Sequence, residues 1–151
     1  APRRRKRPHP KQTQHPRSTY WDLTEYRKLM LDNELGVILG SNPRFNKSAA
    51  AMVVSMGLSS DPDYRPGMAH YLEHILPSGS EKYPGVDDFD IYLSENGGYD
   101  NIYNDVDYTN YCFEVNHDAF GEALERHSQF FVALLFNQDY SESEVNIVNS
   151  E

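Results

Sequence analysis

Residues 66–79 read Pro66-Gly67-Met68-Ala69-His70-Tyr71-Leu72-Glu73-His74-Ile75-Leu76-Pro77-Ser78-Gly79, and this stretch decides the reading of the fold. Pro66 and Gly67 suit the start of a helix, and Pro77 with Gly79 ends it after about ten residues. On such a helix His70 and His74 stand four apart, so their imidazoles project from one face, a turn apart. Glu73 lies beside the same face.

Working outward, residues 26–31 and 36–40 read as two short strands around the turn-forming Asp32-Asn33-Glu34. The apolar run from Ala49 to Leu58 is short enough to be a buried strand. Downstream of the key helix, Asp87 to Glu95 predicts a second one, with Phe89, Tyr92 and Leu93 on one face and Gly97-Gly98 stopping it. Residues 99–104 and 108–115 read as strands, the second alternating through Tyr111, Phe113 and Val115. Asp118 is expected to cap a long helix carrying Phe120, Leu124, Phe131 and Leu135. A last helix is expected from Ser141, still running at Glu151, with Ser141-Glu142-Ser143-Glu144 as a capping box. Strands first and helices interspersed later imply an α+β class, one mixed or antiparallel sheet covered by helices.

The bulk properties bound the function. A chain of 151 residues with 38% hydrophobic and 13% aromatic residues suffices for a folded domain or part of a larger one. The single Cys112 excludes an internal disulfide framework and a thiolate-rich zinc site, and reads as a small buried hydrophobe in a strand. The net charge of −9 is segregated: residues 1–17 hold seven of the 14 basic residues and no acid. The remaining seven basic and 23 acidic residues give residues 18–151 a net charge of −16. Such a body is a poor nucleic-acid binder, and its field attracts basic peptides instead. The tail Arg3-Arg4-Arg5-Lys6-Arg7-Pro8 fits a nuclear address, a nucleic-acid patch, a targeting segment or, most simply, a solvated disordered extension over residues 1–19. Folding is expected from near Tyr20. No run approaches the roughly 18 apolar residues of a membrane span. The tail lacks the apolar run of a secretory signal, which favours the cytoplasm.

Two imidazoles at i and i+4 can grip one Zn²⁺, and a nearby carboxylate that is not a ligand can take a proton from the metal's water. The commoner order places that Glu one after the first His. Here the order is inverted, His-x-x-Glu-His. A catalytic zinc needs a third protein ligand. Glu144 and Glu151, seven apart on the last helix, share a face, and either can reach the metal.

With these motifs in place, residues 24–151 resemble the insulin-degrading enzyme, nardilysin and pitrilysin family of inverted zinc metallopeptidases. The resemblance is carried by Gly67 to His74, Gly79-Ser80-Glu81-Lys82-Tyr83-Pro84, Leu93 to Asn101, Thr109-Asn110-Tyr111 and Glu144 to Glu151. It implies the N-terminal, incomplete portion of a pitrilysin-like peptidase domain over residues 20–151. It also implies one Zn²⁺ per chain held by His70, His74 and Glu151, with Glu73 as general base and Glu144 as a supporting acidic residue. Asn101 lies in the segment that, in the family, forms an exposed strand edge where extended peptide pairs. The expected activity is hydrolysis of peptides by zinc-activated water. The expected partners are peptide substrates and the remaining domains of a longer parent chain, for which Ala1 in place of Met also speaks. An alternative is a non-catalytic peptide-binding or assembly subunit of the same fold.

Departures from the family pattern avoid the proposed ligands. Ile75-Leu76-Pro77-Ser78 replaces a run of Met and bulky apolar residues. Ile102 and Asn104 replace a small residue and a Thr beside the substrate edge. Asn33-Glu34 replaces Asn-Gly in the hairpin, a weaker turn signal.

Overall fold

The computed structural model describes residues 23–150, so the basic extension, the expected start near Tyr20 and Glu151 lie outside the described residues. Two compact units divide the chain after Phe45. The first is an antiparallel hairpin of β1 (Glu25–Met30) and β2 (Gly36–Ser41), in register from Glu25 opposite Ser41 to Met30 opposite Gly36. Its turn closes through Leu31 N–H to the Leu35 carbonyl at 2.9 Å and Leu35 N–H to Asn33 Oδ1 at 3.2 Å. Glu34 occupies the left-handed region at φ 68°. The position where a glycine was missed in the sequence is therefore the one whose backbone favours glycine.

The second unit holds β3 (Lys47–Val54), α1 (Met68–Ile75), α2 (Asp88–Glu95), β4 (Tyr99–Asn104), β5 (Thr109–Asn116), α3 (Phe120–Gln129) and α4 (Gln138–Val148). The strands form an antiparallel sheet in the order β3-β5-β4. The α+β class holds, with two separate antiparallel sheets among the described residues rather than one. The expectation of Ala49–Leu58 as a buried strand fails: the strand is β3, one end of the described strand order, alternating half-buried and exposed, with Val53 58% exposed. The central strand is β5, whose Tyr111, Phe113 and Val115 are buried as their alternation predicts. The same period-two rule turns Cys112 to the other face, so it is half-buried rather than a core residue.

The core joins Phe113 and Val115 to Phe89 and Leu93 of α2 and to Ala119, Ala123 and Phe130. The Phe89 ring meets Phe113 edge-on at 5.6 Å and Phe130 at 5.1 Å, the arrangement the ring quadrupoles prefer. Truncating Phe89 to Ala costs about 3–5 kcal/mol by lost transfer energy plus cavity. The glycine stop after α2 holds in detail. Gly97, at φ 68°, donates to the Ser94 carbonyl at 3.3 Å and Gly98 to the Leu93 carbonyl at 2.7 Å, the paired bonds of a Schellman turn. A Cβ at Gly98 would lie 2.3 Å from the Glu114 carbonyl oxygen, so only glycine admits this approach to β5.

The last two helices differ from expectation. Asp118 does not cap a long helix: residues 117–119 form a 3-10 turn and α3 ends at Gln129, before Phe131 and Leu135. Phe130 packs on Phe89 and its neighbour Phe131 packs edge-on to Tyr111 at 5.2 Å. At this end the Phe130 and Phe131 N–H groups donate to the carbonyls three residues earlier, His127 and Ser128, at 3.3 and 3.2 Å, so the helix tightens into a 3-10 turn. The stripe that faces inward is Ala123 and His127, whereas Leu124 is exposed. The last helix begins at Gln138, not Ser141, because Asn137 Oδ1 accepts from Tyr140 N–H at 3.1 Å and caps it. Ser141–Glu144 therefore sits inside the helix, and Glu144 is not a capping residue. No helix among the described residues is long and apolar enough to cross a membrane.

Candidate metal centre

α1 is held at its N-terminus from outside the helix. Gly67 takes the left-handed conformation at φ 86°, and the Asp61 carboxylate accepts from Gly67 N–H at 2.6 Å and from Ala69 N–H at 2.8 Å. A carboxylate here satisfies two backbone donors and opposes the helix dipole. The helix packs against α4 and β4. The Tyr71 hydroxyl donates to the Ser141 carbonyl at 3.3 Å, a second tie to α4.

His70 and His74 meet as the four-residue spacing predicts. Their Nε2 atoms stand 3.2 Å apart, with ring centroids at 5.0 Å. Nitrogens bound at about 2.05 Å to one tetrahedral zinc would stand about 3.3 Å apart, so the pair fits a shared ion. On the other side of His74, Nδ1 lies 2.8 Å from Oε2 of Glu144, which is only 6% exposed. An ionised carboxylate accepts and does not donate, so the proton of this contact belongs to Nδ1. In a neutral ring the Nε2 lone pair is then directed toward His70. Carboxylates behind metal-binding imidazoles act in this way, fixing tautomer and ring angle.

Glu73 lies close enough to the sheet for its charge to add to burial in pushing the Tyr111 phenol up to about 12. Asp100 on β4 is pushed up to about 6, first by burial and then by the Asp90 charge. Tyr140, one turn before Glu144, has its phenol raised by burial and by the Glu144 charge. Asn101 lies on β4, at the end of the strand order, with its carbonyl accepting from Cys112 Sγ at 3.2 Å. The structure thus brings together His70, His74 and Glu144, and sets Asn101 on the strand against which α1 packs. Among the described residues no group of three His, Cys, Asp or Glu side chains is placed to share a metal.

Sequence reasoning missed Asp61 and Tyr71. Asp61 carries no periodic signal, being one acid of the polar loop Ser59 to Gly67. Tyr71 lies between the two histidines and reads simply as a helical aromatic.

Comparison with known proteins follows the same lines. Residues 36–151 match the family model described as insulinase, peptidase family M16. The peroxisomal insulin-degrading enzyme-like 1 of Arabidopsis thaliana is 47% identical over 130 residues, covering 86% of this chain and 13% of its own length. The insulin-degrading enzyme of Homo sapiens is 42% identical over the same length and shares. Among solved structures, pitrilysin superposes with a TM-score of 0.87 at 36% identity, over 93% of this chain and 15% of that one. The chain therefore spans roughly one seventh of the length of such relatives. With three quarters of its residues inside the family match and an α+β fold that follows pitrilysin, the chain belongs to the insulinase family of peptidases, M16.

Proposed function

We propose that the protein carrying this segment is a zinc metalloendopeptidase that hydrolyses peptides. The observation that carries the reading is the pair of Nε2 atoms 3.2 Å apart, with a buried carboxylate set behind one of them. His70 and His74 hold the ion, and Glu151 supplies the third ligand. When bound, zinc acidifies a water and polarises the scissile carbonyl. Glu73 accepts the proton of the attacking water and delivers it to the leaving amine nitrogen, so the protons balance over one turnover. Glu144 keeps the His74 ring in one tautomer. An extended peptide adds to the β4 edge near Asn101, where backbone hydrogen bonds give affinity without strict sequence demands.

The test is Glu73→Gln in the full-length protein. Peptidase activity is expected to fall at least about 10²-fold, with zinc content unchanged. Normal activity at normal zinc content would remove Glu73 from the role.

A further inference from the structure

We infer that Asp61 is a positioning residue that ties the register of α1 to the β4–β5 turn, and so aligns Glu73 with the peptide edge of β4. The inference rests on the functional reading above. The tie has two halves, both visible as hydrogen bonds.

On one side, residues 57–60 are locked to the turn between the strands. Leu58 N–H donates to the Asp105 carbonyl at 3.0 Å and Ser59 N–H to the Val106 carbonyl at 2.8 Å. The Ser59 hydroxyl adds a bond to Asp107 Oδ1 at 3.2 Å. A Cβ on Gly57 would lie 2.2 Å from the Asp105 oxygen, so the two backbones approach as closely as glycine allows. The Thr109 hydroxyl fixes the preceding step by donating to the Met56 carbonyl at 2.8 Å.

On the other side, Asp61 follows this locked segment directly. Its two carboxylate oxygens divide between Gly67 and Ala69 N–H, at 2.6 and 2.8 Å. One side chain therefore spans from a segment bound to β4's end to the first turn of α1. Ala69 is adjacent to His70 and four residues before Glu73. A slip of the helix along its axis would break both bonds at once.

Both histidines ride on α1 and keep their mutual spacing if the helix shifts as a body. A metal held by the pair moves with them, while the His74–Glu144 contact to α4 and the distance from Glu73 to a peptide on β4 both change. A misplacement of about 1 Å can cost on the order of 10²-fold in rate. A mere helix cap would act on stability alone.

The experiment compares Asp61→Ala and Asp61→Asn with Ala123→Gly, a destabilising control in α3, all in the full-length protein below its unfolding temperature. For Asp61→Ala assayed at saturating zinc, kcat is expected to fall at least about tenfold, with KM within about threefold. Asp61→Asn, which keeps one acceptor, should lie between this and wild type. Amide exchange should quicken in α1 for the Asp61 variants and not for Ala123→Gly. An unchanged kcat per folded molecule, or an equal loss in Ala123→Gly, would overturn the inference. Should the wild type hydrolyse no peptide, the functional reading fails separately. The exchange data then still decide whether Asp61 holds α1: unchanged exchange overturns it and faster exchange supports it.

Discussion

Glu144→Gln separates the proposed metal role of this carboxylate from a role in folding, because the two effects have opposite signs. Glu144 is 6% exposed and lies 2.8 Å from His74 Nδ1. Replacing it with the near-isosteric amide removes the charge that strengthens this bond and fixes the tautomer. Replacing the charged acceptor behind a metal-binding imidazole by a neutral one weakens affinity about 10–100-fold, or roughly 1.4–2.7 kcal/mol. The same change removes a buried charge, whose desolvation costs several kcal/mol, and keeps the side-chain volume. Metal-free stability is therefore expected to hold or rise. Glu144→Ala should lose both, since it deletes packing as well as the acceptor. Zinc affinity is measured by competition with a chromophoric chelator, and stability by thermal unfolding of chelator-stripped protein. The expected affinity order is Glu, then Gln, then Ala. Wild-type affinity in Glu144→Gln would refute the argument. So would a metal-free Tm that falls in step with the affinity, because the side chain would then be serving the fold.

Two further predictions concern the scaffold. His127 is buried among Phe89, Phe113, Phe130 and Phe131 with Nε2 unpartnered, and burial pushes it down to about 4. Its folded value lies below the unfolded one near 6.5, so the unfolded state binds more protons between these values and stability falls as pH drops through that window, by about 3 kcal/mol in total. His127→Phe should flatten this slope in denaturant titrations at pH 7 and pH 5; an unchanged slope would assign it to other groups. Glu34→Gly should stabilise the hairpin by up to about 1 kcal/mol, because Glu34 sits at φ 68°, and slower amide exchange in β1 and β2 is the readout.

Legibility followed the range of the interactions. The hairpin, the glycine stop after α2 and the alternation of β5 are short-range features, set by turn chemistry and by the two-residue period, and each was readable from its own residues. The end of α3 was not. Phe120, Leu124, Phe131 and Leu135 recur near helical spacing, yet the helix ends at Gln129, before Phe131 and Leu135. Cys112 likewise reads as apolar by type, and only its register opposite Ala51 and Asn101 shows which face it takes.

The candidate metal centre divides along the same line. His70 and His74 belong to one helix, so their convergence needs only the 3.6-residue period and follows from spacing alone. Glu144 matched a local motif, the capping box, and the match was misleading because the cap had formed four residues earlier, at Asn137. Starting the helix there places Glu144 in its interior, where its carboxylate faces His74 rather than folding back on a backbone amide. A carboxylate buried to this degree with an imidazole as partner is costly to the fold, and a local cap would need no such burial. The expense is understandable where the neighbouring ring must present one fixed lone pair. That makes the position of Glu144, more than the five-residue motif itself, the feature that favours reading α1 as a candidate metal centre rather than a helix that merely displays two histidines.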